Sequence, residues 1–192
     1  MRRIGLTVTA LAVGTLLAVP VHAEDAMVHN EGANFVPQVA QVGRGDQVTW
    51  TIAGPHTVTD ATGMGQYDRD LSPGGSFTRA FVAAGRYHYI CKFHVGSGMR
   101  GRIEVPVSAV DAEGRGFVVT WASQSGLNRP WVYDVQVKRP DSTQWTWWLR
   151  GVEARSRTYA PASLPGGTYR FRARMREPGE GASGWSATAA VS

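Results

Sequence analysis

Gly85-Arg86-Tyr87-His88-Tyr89-Ile90-Cys91-Lys92-Phe93-His94-Val95-Gly96-Ser97-Gly98-Met99-Arg100-Gly101-Arg102-Ile103-Glu104-Val105 reads as a strand, a short loop and a second strand. Successive side chains of a strand alternate between faces, so Tyr87, Tyr89 and Cys91 share one side and His88 points to the other. The loop that follows offers a thiol, an imidazole and a thioether in Cys91, His94 and Met99. Soft sulfur donors beside imidazole favour copper. Two His and one Cys in a trigonal set, with a distant axial Met, suit both Cu(I) and Cu(II). The loop is one imidazole short, and the sequence supplies it upstream. His56 stands in Gly54-Pro55-His56-Thr57-Val58-Thr59-Asp60, directly after a strand edge, where Pro55 fixes the backbone and the polar Thr57 is placed to tie the two ligand segments together. His29 has no motif around it, and His88 faces away, so neither is expected to be a ligand.

Outward from this segment, residues 24–107 show short alternating patterns broken by Gly, Pro and Asp, with no sustained helical period. Strands are expected at Met27–His29, Gln38–Val42, Gln47–Ile52, His56–Thr59, Ser76–Phe81, Gly85–Cys91 and Arg102–Val107. Turns such as Gly43-Arg44-Gly45-Asp46 and Ser72-Pro73-Gly74-Gly75 separate them. So many short strands in this length predict an all-β, antiparallel sandwich. A second all-β set follows: Phe117–Trp121, Val132–Arg139, Thr143–Leu149, Ser156–Tyr159, Thr168–Met175 and a last strand near Trp185–Val191. It repeats the rhythm of the first set without its residue motifs. The chain is therefore divided at Pro106–Ala109 into two sandwiches, 24–107 and 108–192, rather than into a repeat.

The Cys-x-x-His-x-x-x-x-Met spacing and its flanking strands, with Gly45-Asp46-Gln47-Val48-Thr49-Trp50 and Pro55-His56-Thr57-Val58 upstream, resemble the plastocyanin-like cupredoxins. The likeness covers most of residues 27–107. It implies a single blue copper held by His56, Cys91, His94 and Met99, and outer-sphere transfer of single electrons to a haem or copper protein, with His94 the more exposed ligand and the electron port. Two departures stand out. The acids Asp60, Asp68 and Asp70 are few and interleaved with Arg69, so the acidic recognition patch of photosynthetic plastocyanins has no counterpart. Thr57 also stands where many relatives carry Asn.

In the second half, Trp121 on an early strand, the Leu164-Pro165-Gly166-Gly167-Thr168-Tyr169 corner and Gly184-Trp185-Ser186 resemble a fibronectin type III domain. Along Tyr169-Arg170-Phe171-Arg172-Ala173-Arg174-Met175-Arg176 the apolar residues are expected to face the core, leaving four arginines outside. Two readings of Arg170, Arg172, Arg174 and Arg176 stand side by side: a ladder for an anionic cell-envelope surface, or a cation–π stack with Trp185 slotted between guanidinium planes. Trp145, Trp147 and Trp148 invite a sugar-stacking reading, although alternation is expected to send at least one of them into the core or onto the surface between the sandwiches.

The whole-chain properties fit an exported protein. Arg2 and Arg3 begin a basic start, an uncharged apolar stretch runs to Pro20, and Val21-His22-Ala23 is a small-residue cleavage pattern, so residues 1–23 are expected to be a signal peptide with the mature chain starting at Glu24. No later apolar stretch is long enough to span a membrane. Periplasmic, cell-wall-associated and extracellular destinations all follow from such a leader. Cys91 is the one cysteine, which rules out an intramolecular disulfide, and in an oxidising compartment a metal is the natural occupant of its thiol. The formal charge of +5 divides unevenly. Residues 24–107 are near balance, with seven Lys and Arg against eight Asp and Glu, while 108–192 hold eleven against seven. That modest basic surplus, with no nucleic-acid fold signature, gives no nucleic-acid partner. Four protein ligands on one metal leave no open position for a substrate, so an enzyme is not expected. The competing functions are copper delivery without redox turnover and a noncatalytic envelope-binding module.

Overall fold

The computed structural model describes residues 24–192, and the expected signal segment lies outside them. Two β-sandwiches follow one another along the chain. The first is built from β1 (Ala26–Glu31), β2 (Asn34–Val36), β3 (Val39–Gln41), β4 (Gln47–Thr51), β5 (His56–Asp60), β6 (Asp68–Leu71), β7 (Ser76–Ala80), β8 (Gly85–Ile90) and β9 (Arg100–Val105). One sheet runs β2-β1-β4-β7 and the facing one β3-β9-β8-β5-β6. Trp50 fills the space between them, fully buried, edge-on to Tyr89 and stacked on Phe77. Gly101 sits opposite Tyr89 in the β8/β9 register, and the ring lies where a Cβ would be, 2.4 Å from the nearest ring atom. Only glycine admits the tyrosine there.

The second sandwich has β10 (Ser108–Asp111), β11 (Phe117–Thr120), β12 (Val132–Lys138), β13 (Thr146–Val152), β14 (Ser156–Tyr159), β15 (Tyr169–Arg176) and β16 (Ala189–Val191). Its sheets run β10-β11-β14 and β13-β12-β15-β16. Strict alternation along β15 buries Tyr169, Phe171, Ala173 and Met175, as period-2 patterning requires.

Three expectations need correction. The first sandwich is mixed rather than antiparallel, because β1 pairs parallel with β4 and β3 parallel with β9. These strands meet across long stretches of chain, and local hairpin signals carry no information about such pairs. Strands β2, β6 and β10 were not expected from the sequence; all are short, and β6 (Asp-Arg-Asp-Leu) is an exposed edge with no buried face to produce alternation. The last strand is confined to Ala189–Val191. Ahead of it the Ser183 and Ser186 hydroxyls accept the N–H groups of Met175 and Ala173, each 3.1 Å away, replacing part of the regular ladder.

The arginines of β15 are largely committed within the protein. Arg172 donates to Gln136 Oε1 and lies over Trp145 and Trp185, while Arg174 lies over Trp185 and Trp147 and donates to Asp134. Trp185 thus sits between two guanidinium planes, which is the stacked arrangement. Trp148 packs among Trp121, Tyr159 and Phe171, and Trp147 is 42% exposed.

Asp134 is the one acid in a strand whose central residues are all buried. Its carboxylate accepts the Gly151 N–H at 2.9 Å and faces Arg174 and Arg176 at 3.0 and 3.3 Å. Burial by itself would raise its pKa, but the Gly151 N–H and the two guanidinium groups outweigh that and hold it below the ordinary carboxylate range. A depressed folded pKa contributes stability that is present above the unfolded value of about 3.9 and is lost as the pH falls through the folded one. Asp134→Asn is expected to cost about 3 kcal/mol near neutral pH, the low end for a broken buried pair because both arginines are part-exposed. It should also flatten the acid limb of the stability curve. Denaturant midpoints between pH 3 and pH 7 check this, and an unchanged acid limb in the Asn variant would remove Asp134 as its source.

The sandwiches are joined by main chain as well as side chain. Arg86 and Gly184 exchange a reciprocal pair of backbone hydrogen bonds at 2.9 Å, Ala84 N–H donates to Trp121 O at 2.7 Å, and Ser123 N–H to Val82 O at 2.8 Å. Gly63 and Gly181 meet backbone to backbone. The hydrophobic core is continuous through this seam. Among the described residues no helix is long and apolar enough to cross a membrane.

Candidate metal centre

β8 delivers Cys91 to one end of the first sandwich, and β5 begins there with His56. Alternation keeps Tyr87, Tyr89 and Cys91 inside and leaves His88 exposed. After Cys91 the chain makes a single 3₁₀ turn, Lys92–His94, and closes on itself: His94 N–H donates to Cys91 O, Met99 N–H to His94 O, and Cys91 N–H to Met99 O. Gly98, at φ 81°, supplies the left-handed step that turns the loop back. The fully buried Met99 thereby returns beside the strand that carries Cys91.

Three donor atoms converge. The Nδ1 atoms of His56 and His94 are 3.1 Å apart, and Cys91 Sγ lies 3.6 Å from the first and 3.5 Å from the second. Two imidazole nitrogens and a sulfur aimed at one another make poor hydrogen-bond partners. A triangle with those sides has its centre about 2.0 Å from each corner, close to the ~2.0–2.3 Å of metal–imidazole and metal–thiolate bonds. The donors therefore fit an ion at the middle, and with a thioether residue buried on the same loop the set suits copper better than zinc. Of the five histidines and one cysteine in the sequence, the structure brings together the two His and the Cys singled out from it.

The surroundings hold these donors in place. Thr57 N–H points at Cys91 Sγ from 3.3 Å, and its hydroxyl accepts Lys92 N–H at 2.8 Å, so Thr57 does link the two ligand segments. A donor on the sulfur draws electron density from it and so tunes it as a metal ligand. His56 is buried, and burial first, then the neighbouring His94, pushes its imidazole below the ordinary value. The ring therefore stays neutral near pH 7, with a lone pair for a metal. Asn30 was missed from the sequence. Its Oδ1 accepts Ala53 N–H at 2.7 Å, and its amide nitrogen lies 3.1 Å from His56 Nε2, on the side of the ring away from Cys91. No motif surrounds Asn30, and β1 reaches His56 only through the folded sheet.

His94 is less buried than His56 and is flanked by Phe93 and Val95, 62% and 44% exposed. The nearby acids do not form a free patch: Asp60 accepts the Thr62 hydroxyl and the Gln66 N–H, while Lys92 pairs with Asp68 and Asp70.

Comparison with known proteins follows the same residues. Residues 22–106 match the copper binding proteins of the plastocyanin/azurin family. Chloroplastic plastocyanin of Tetradesmus obliquus is 36% identical over 83 residues, 37% of this chain, and plastocyanin of Scenedesmus fuscus is 34% identical over 83 residues. The chain spans 57% of the length of the first and 85% of the second. Similar solved structures include a reduced amicyanin mutant, 29% identical over 46% of this chain and 86% of that one, and a purple cupredoxin from Nitrosopumilus maritimus, 25% identical over 42% and 99%. Both have a TM-score of 0.37.

Proposed function

Because the chain belongs to the plastocyanin/azurin family of copper-binding proteins, we propose that His56, Cys91, His94 and Met99 hold one copper ion and that the protein carries single electrons between redox partners by outer-sphere transfer. The carrying observation is the convergence of two imidazole Nδ1 atoms and one thiol sulfur around a point at metal-bond distance from all three. Copper bound there supplies a one-electron Cu(I)/Cu(II) couple. The protein's part is to keep the donors still. β5 and β8 hold His56 and Cys91, Thr57 donates to the sulfur, and the closed loop fixes His94 and Met99. His94 sits at the exposed end among Phe93 and Val95, which makes it the port through which a haem or copper partner exchanges the electron. Burial of Cys91 and His56 favours retention of the ion over handing it on, and so favours a carrier over a delivery protein.

Residues 108–192 form a fibronectin type III-like domain in this reading and 24–107 the copper domain. Support for the former comes from its three-on-four sheet order, the buried Trp121 and the Tyr169 hydroxyl donating to Pro165 O at 3.1 Å, a tyrosine corner. The leader-like residues 1–23 make the protein exported. One equivalent of Cu(II) added to the mature chain should give an intense visible band and narrow copper hyperfine splitting, bleached by reductant and restored by oxidant. A pale spectrum typical of nitrogen and oxygen donors would overturn the assignment.

A further inference from the structure

A second polar site lies away from the copper ligands, where the Gly43–Asp46 turn of the first sandwich meets the three-stranded sheet of the second. Its cleft, of about 380 Å³, is lined by Arg44, Thr120, Ala122, Ser123, Arg155 and Ser156. Strand register accounts for the hydroxyls. Ser108 pairs with Thr120 and Thr120 with Ser156, so three hydroxyl residues run side by side across one sheet face. Phe117 and Val119 are buried on the opposite face, so the row looks outward.

Arg44 is held at one end of this row. It donates to Pro106 O at 2.7 Å and to Ser108 Oγ at 3.0 Å, which fixes the guanidinium plane and leaves other N–H groups free. No carboxylate lines the cleft, and among the described residues neither Arg44 nor Arg155 takes part in an ion pair. Arg174 and Arg176 of β15 differ in this respect, since both pair with Asp134. Burial works against the charge on Arg44, and no acid compensates for it. A planar guanidinium fork beside several hydroxyls matches an anion with several acceptor oxygens.

We propose that this cleft binds a tetrahedral oxyanion of the phosphate class, gripped by Arg44 and Arg155 and capped by the hydroxyls of Thr120 and Ser156. Arg44 belongs to the first sandwich and Arg155 to the second, so the bound anion bridges the seam and stabilises the pair of sandwiches together.

Calorimetric titration of inorganic phosphate into the copper-loaded mature chain, against sodium chloride at matched ionic strength, tests the proposal. Saturable one-site binding is expected, with a Tm that rises in phosphate and not in chloride. Arg44→Ala also removes the bonds to Pro106 and Ser108 and can weaken the fold for that reason alone. Arg155→Ala is therefore the deciding variant: its exposed side chain makes no such contact, so Tm without phosphate should be unchanged while phosphate affinity falls at least tenfold. Arg155→Lys should recover part of that loss. A phosphate monoester and a phosphodiester titrated in parallel separate a free anion from one carried on a polymer. The proposal fails if no saturable heat appears or if Arg155→Ala binds as the parent does. It fails equally if Arg150→Ala abolishes binding instead, which would move the anion to the separate cleft beside Trp147.

Discussion

Cys91→Ser should erase the intense visible band of the copper-loaded protein and weaken Cu(II) binding by at least ~100-fold, more than the ~10–100-fold that follows loss of an outer-shell partner. The sulfur is the soft member of the donor triangle, and a serine hydroxyl is neither soft nor ionised near pH 7. The fold should survive. Ser is close to Cys in volume, Cys91 sits in a closed loop anchored by backbone bonds, and an oxygen there can still accept the Thr57 N–H, so the stability change should stay near ~1 kcal/mol. Absorption, electron paramagnetic resonance and a denaturant melt on one preparation separate the two effects. An intense band retained in the Ser variant would mean that the colour does not arise from Cys91.

At the seam, Gly181→Ala is expected to split unfolding into two transitions where the parent shows one. An added Cβ would stand 2.4 Å from Thr62 O and 2.5 Å from the Gly63 carbonyl carbon, so backbone must move on at least one side. Overpacking of this kind costs about 1–3 kcal/mol, and because backbone has no rotamer with which to yield, the upper end applies. The loss falls on the junction and should therefore lower the cooperativity between the sandwiches more than the stability of either. Gly166→Ala, with no atom within 4 Å of the added carbon, is the control that should change little. Calorimetric melts compare the three proteins. If the Gly181 variant melts as the parent does, the close approach of Gly63 and Gly181 does not couple the sandwiches.

The convergence of His56, Cys91 and His94 was legible in the sequence because two of them lie in one loop whose chemistry has few other uses, and the third follows a strand edge beside Pro55. The inward face of β8 and the buried face of β15 were legible for a simpler reason: alternation along a strand is a local property. What escaped was long-range. Asn30 reaches His56 only because β1 lies against β4, and that pairing is parallel, between strands no hairpin connects. Gly63 and Gly181 look like ordinary loop glycines until the two loops are brought together. Asp134 did leave a trace, an acid in the middle of Tyr133-Asp134-Val135-Gln136-Val137, where burial demands a partner, but nothing local names Arg174 and Arg176 as that partner.

The reciprocal Arg86–Gly184 pair grips β8, the strand that leads into Cys91, and only Pro106 and Val107 separate β9 from β10. Joined this way, the two sandwiches behave as a stiff arm and not as a bob on a string. A bob on a flexible string samples every direction within its radius, so its encounters depend on string length alone. A stiff arm gives His94 a fixed bearing relative to whatever the second sandwich rests against. For the electron port proposed at His94, a partner on that bearing would be met at high local concentration, and one off it would have to wait for the whole molecule to turn.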